Sequence, residues 1–79
     1  MVESIEIYPN PSQGIIQLES SIIFSSLEVF STKGKQLLII NEPTNKIDLS
    51  SIPRGVYILK FKSENATFVR KLILSNSSF

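Results

Sequence analysis

Cysteine, histidine and tryptophan are absent from this 79-residue chain. Without cysteine there is neither a disulfide nor a thiolate metal site, so the core must hold the fold unaided. Without histidine, the commonest general base, proton shuttle and imidazole ligand is missing. No stretch of ~11 residues keeps its apolar positions at the 3.6-residue helical period. No apolar run approaches the ~18 residues of a membrane-spanning helix. An excess of one charge is lacking too. Eight Lys and Arg are scattered among seven acids, for a net charge of +1. With no basic patch, a surface that tracks nucleic-acid phosphates is not expected. The opening Met1-Val2-Glu3-Ser4 has neither a positive nor an apolar segment, so no signal peptide is read there. If the protein works outside the cytoplasm, its export leader is expected on a longer parent.

What the chain does have is β signal, strongest over residues 47–61. Ile47 and Leu49 alternate with polar neighbours, and Pro53 and Gly55 force a corner. Residues 56–61 are β-branched and aromatic enough for an inner strand. Further short strands are predicted over 5–8, 15–18, 27–30, 36–40, 46–50 and 66–74, with the long one at 55–62. Pro9 and Pro11 cannot donate to a ladder and bias the residue before each toward extended backbone, so 5–8 is an edge strand leading into a rigid loop. Ile16 and Leu18 share one face. Leu27 and Val29 point inward and Glu28 outward. Residues 22–24 fit either a short strand or an apolar loop covering one end of the fold. Ser31-Thr32-Lys33-Gly34-Lys35 is a hairpin turn with Gly34 at positive φ. The run Leu37-Leu38-Ile39-Ile40 does not reveal which side faces in. Seven short strands at roughly ten-residue spacing predict an all-β fold, an antiparallel β-sandwich with Greek-key-like connections. One domain fills 1–79, with a core over 5–74 and a frayed tail at 75–79. A chain this size buries only about 60–65% of its unfolded surface.

Catalytic chemistry is poorly supplied. Glu3, Glu6, Glu19, Glu28, Glu42, Asp48 and Glu64 are isolated in sequence and fall at outward or loop positions. They read as solvated carboxylates rather than as a pair for glycoside chemistry. No calcium loop, phosphate loop or nucleophile elbow is present. The expectation is a non-enzymatic domain without metal or cofactor. An adhesion or carbohydrate-binding module is the alternative, but it would want an exposed aromatic platform, and the chain offers two Tyr and no Trp. The tripeptides Asn65-Ala66-Thr67 and Asn76-Ser77-Ser78 match a glycosylation pattern that is frequent by chance. The terminal Phe79 invites comparison with outer-membrane barrels, for which these strands are too few and too short.

Three segments, in this order and spacing, resemble a known family. They are Ile5-Glu6-Ile7-Tyr8-Pro9-Asn10-Pro11 followed by Gly14, then Leu27-Glu28-Val29-Phe30-Ser31-Thr32-Lys33-Gly34-Lys35, and finally Ile47-Asp48-Leu49-Ser50 through Ile52-Pro53-Arg54-Gly55-Val56-Tyr57-Ile58-Leu59 with Lys71-Leu72-Ile73-Leu74. The chain is similar to the type A C-terminal sorting domains of the type IX secretion system of Bacteroidota. Phe30 and Ser31 stand where Tyr and Asp are usual, and residues 75–79 run past the usual end. The resemblance implies an immunoglobulin-like sandwich at the end of a cargo protein. It implies recognition in the periplasm by an outer-membrane translocon, collection by a shuttle protein, and removal by a sortase that leaves the cargo secreted or on the cell surface.

Within that reading, partner recognition is expected at Tyr8, Pro9, Asn10 and Pro11, and on the terminal strand at Lys71, Leu72, Ile73 and Leu74. The mode would be a sandwich surface or backbone pairing at an edge strand. Tyr8 and Tyr57 equally suit half-buried ring packing, and Lys71 suits an ordinary exposed strand position. Gly14, Gly34 and Gly55 are expected to serve turn geometry.

Overall fold

Alternating apolar and polar positions become seven strands, β1 (Ile5–Tyr8), β2 (Ile15–Ser20), β3 (Ser26–Ser31), β4 (Gln36–Ile40), β5 (Lys46–Asp48), β6 (Gly55–Lys62) and β7 (Thr67–Leu74). The computed structural model describes residues 5–21, 23–42 and 44–75. The expected tails at 1–4 and 76–79, the Asn76 tripeptide and Ile22 lie outside the described residues. No helix occurs among the described residues. The strands form two antiparallel sheets, in the orders β1-β2-β5 and β4-β3-β6-β7. Chain connections cross between sheets after β2, β4 and β5. This is the Greek-key plan of an immunoglobulin-like sandwich, with the fourth strand paired beside the third.

Period-2 geometry decides the core. Ile5, Ile16, Leu18 and Ile47 of the first sheet face Leu27, Val29, Tyr57, Leu59, Phe61, Leu72 and Leu74 of the second, all of them buried. As read from the sequence, β6 is an inner strand, between β3 and β7, and β1 is an edge. The ambiguous stretch before β3 acts as an end cover. Phe24 is buried and meets Phe61 edge to face with centroids 5.3 Å apart. In β4 the inward side is Leu38 and Ile40, packed against the core, while Leu37 and Ile39 are exposed. A bulge at Val29/Phe30 shifts the register against β4, and four apolar residues in a row hide the inward side of that strand in its sequence.

The corner at 48–55 is fixed by side chains. The Tyr57 hydroxyl donates to the Pro53 carbonyl, so this ring, expected to be half-buried, is buried and also ties the corner to β6. The Asp48 carboxylate accepts from the Ser50 hydroxyl and from the Ser50 amide at 2.9 Å. These bonds, the hydroxyl first, hold the Asp48 carboxyl below its ordinary value. Gly14 approaches the same corner. Its φ is 144°, its carbonyl accepts from the Leu49 amide at 2.6 Å, and an added Cβ would lie 3.1 Å from the Cα and Cβ of Ser50. Gly34 has φ 89° in the β3–β4 turn but open space around it.

Gly14→Ala therefore combines backbone strain with a clash and is expected to cost about 1–3 kcal/mol, against about 1 kcal/mol for Gly34→Ala, in urea unfolding. Because the folded pKa of Asp48 is depressed, its contribution is full above its unfolded value and is lost as pH falls through the folded one. Asp48→Asn is expected to flatten the acid limb of a melting temperature versus pH curve. An unchanged limb would assign acid sensitivity to other carboxylates.

Candidate functional site

The two candidate recognition segments, distant in sequence, form one structure. Proline supplies no N–H to residues 9 and 11, both of which follow cis peptide bonds, so bonding in this loop falls to Asn10 and Ser12. The Asn10 side-chain amide acts as a peptide unit would. Its Nδ2 donates to the Lys71 carbonyl at 2.8 Å, and its Oδ1 accepts from the Ile73 amide at 3.0 Å. Two residues on, the Ser12 amide donates to the Ile73 carbonyl and the Ser75 amide donates to the Ser12 carbonyl, each at 2.8 Å. Ser12 thus forms a parallel bridge with Leu74. Its side chain is buried and satisfied: Oγ donates to the Ile15 carbonyl at 3.0 Å and accepts from the Gly14 amide at 3.1 Å. One residue before Lys71 on β7, Arg70 Nε donates to the Ile5 carbonyl at 3.0 Å, joining β7 to β1.

The first loop therefore clasps the outer edge of β7 over residues 71–75. Tyr8, Pro9, Asn10 and Pro11 are exposed, as are Lys71 and Ile73. Leu72 and Leu74 are 0% and 2% exposed and contribute to the core, so the folded surface at this end of β7 is Lys71 and Ile73. Backbone pairing by a partner at 71–75 would have to displace the clasp. Gly14 leaves the clasp toward β2, Gly34 turns the β3–β4 hairpin at the expected positive φ, and Gly55 opens β6.

Other chemistry is thin. Among the described residues, no three of His, Cys, Asp and Glu gather in a way that could hold a metal. The Tyr8 side chain is on the outer side of the first sheet, whereas Phe30 is on the outer side of the second, so they do not build one aromatic platform. Several shallow grooves are open, two of which lie on different parts of the sandwich. One, of 530 Å³, lies at the end of the sandwich beside Ile23, Phe24 and Asn45. The other, of 390 Å³, lies on the second sheet beside Phe30, Ile58, Lys60 and Val69.

Sequence reasoning missed Ser12, Arg70 and the use made of the Asn10 side chain. Their bonds run to backbone groups about sixty residues away, which no periodicity encodes. The available hint was local, a polar Asn and Ser flanking a proline where side chains commonly replace absent backbone donors.

Comparison with known proteins covers this same unit. The family model described as "Secretion system C-terminal sorting domain" matches residues 6–75, from β1 through the clasp on β7. Beta-agarase D of Zobellia galactanivorans is 30% identical over 74 residues, which is 92% of this chain and 15% of that protein. The chain thus spans a small part of the length of the curated relative it matches.

Removing the Asn10 amide tests the clasp. Asn10→Ala is expected to cost about 1–2 kcal/mol, the net worth of two hydrogen bonds. Amide exchange should quicken at Ile73 and Ser75 while Leu59 stays protected. Equal protection at Ile73 in both proteins would show that the side chain contributes nothing to closing the strand edge.

Proposed function

The chain belongs to the C-terminal sorting domain family of the type IX secretion system, and we propose that it is read as a folded surface by the outer-membrane export machinery. Membership makes the domain a sorting signal for secreted or cell-surface proteins. In the proposed sequence of events, the protein bearing it reaches the periplasm and the sandwich folds there. The translocon and a shuttle protein engage it, and a sortase cuts it from its cargo. The domain is a substrate of this machinery and catalyses nothing. One observation carries the reading: the family match over 6–75 takes in a unit that closes on itself, with its first loop bonded to its last strand. That closure supports recognition in the folded state, since the residues matched are those that complete the sandwich. The agar-directed activity in the relative's name is not carried over, because the shared segment is 15% of that protein.

The test is a reporter with residues 1–79 at its C-terminus, expressed with a signal peptide in a cell that has the type IX system. The reporter is expected in the medium or at the cell surface, and its mass should lack the domain. In a strain without the sortase, the domain should stay attached. A fusion that remains periplasmic while a known sorting domain exports the same reporter would overturn the reading.

A further inference from the structure

The outer face of the four-stranded sheet is built against the usual rule. In a sandwich, the side of an antiparallel sheet away from the core is normally polar. Here the register places Phe30 beside Ile58 and Ile58 beside Lys71, Val56 beside Ile73, and Lys60 beside Val69, all on that side. Five of these are apolar. Val56, Val69 and Ile73 are 38%, 53% and 36% exposed, and no described element lies over them. The 390 Å³ groove beside Phe30 and Val69 belongs to the same face.

Its charges are one-sided. Lys60, Lys62 and Lys71 project from it, with Glu28 as the acid among them. Glu28 is taken, since its carboxylate is 3.4 Å from Lys62 Nζ. Lys60 and Lys71 have no ion-pair partner among the described residues. Lys60 Nζ instead sits 5.9 Å from the centre of the Phe30 ring, which keeps a cation over the apolar surface.

We propose that this face is the surface the export machinery reads, and that its occupant is a protein patch with an aliphatic or aromatic centre and carboxylates placed to meet Lys60 and Lys71. The proposal rests on the sorting reading above and says which part of the domain is read. Charge complementarity selects the occupant. A second copy stacked face to face would bring unpaired lysines against lysines across a twofold axis. An anionic lipid surface gains only about 1 kcal/mol per nearby lysine, and the chain adds neither Trp nor a large positive charge, its net charge being +1. A protein patch uses both properties of the face, apolar burial at the centre and paired charge for orientation.

The experiment uses the same reporter fusion, with Lys60→Glu plus Lys71→Glu as one variant, Val69→Thr plus Ile73→Thr as another, and Lys46→Glu, on the other sheet, as the charge control. Each is also purified and melted, to separate loss of fold from loss of recognition. Both face variants are expected to fold while export falls about tenfold or more, with reporter held in the periplasm, and Lys46→Glu should match the parent. If the charge reversal does not fold, Lys60→Gln plus Lys71→Gln replaces it, with export again expected to fall. Folded face variants exported as well as the parent would overturn the proposal and leave the sorting reading intact. A parent fusion that is not exported would overturn both. Flotation of the purified domain with anionic phospholipid vesicles, lost in the charge-reversed variant, would assign the face to lipid and overturn the protein occupant.

Discussion

The C-terminal half of the last strand of this sandwich is bonded on both edges, and the rest of the molecule depends on that closure. β6 secures one side of β7 along its whole length. On the other side, Asn10 and Ser12 satisfy the carbonyls and amides of residues 71–75. An unpaired strand edge offers donors and acceptors to any other chain. A 79-residue protein without cysteine has no cross-link to stop such an edge from fraying. Side-chain amide, buried hydroxyl and loop backbone together do what a further strand would do. Leu72 and Leu74 can then sit in the core, because the backbone that carries them is anchored from both directions.

That arrangement joins what were read as two separate recognition segments. The Tyr8–Pro11 loop and the end of β7 share a surface because one holds the other in place. Asn10 and the backbone of 71–75 are committed to the fold, which leaves Tyr8, Pro9, Pro11, Lys71 and Ile73 as the side chains a partner meets there. Lys71 and Ile73 also belong to the outer face of the four-stranded sheet, so the clasp borders that apolar, positively charged surface.

Much of the fold was legible because strand burial has a period of two. Alternation at Ile16/Leu18 and Leu27/Val29 places these residues inward, the β-branched and aromatic run at 56–61 is an inner strand, and Pro53, Gly55 and Gly34 mark turns where the chain does turn. β4 resisted because all four of its last residues are apolar, so residue type does not mark which of them face in. The candidate site was legible as two stretches but not as a contact. Asn10 and Ser12 act through backbone atoms far along the chain, and backbone groups leave no trace in residue type. At 71–74 the apolar run Leu72-Ile73-Leu74 hides the period, and only the pairing with β6 separates the buried Leu72 and Leu74 from the exposed Lys71 and Ile73.

The clasp also makes closure depend on the last residues of the domain. Asn10 is 61 residues from the Lys71 carbonyl it binds, so wherever the chain folds, both ends must be present. Without β7, β6 is an unfinished edge and the core lacks Leu72 and Leu74. A chain that stops short of residue 72 has the loop but nothing to fasten it to. The closed sandwich is therefore a record that translation has run through to the final strand, and whatever binds the folded form acts only on molecules whose synthesis has reached that point.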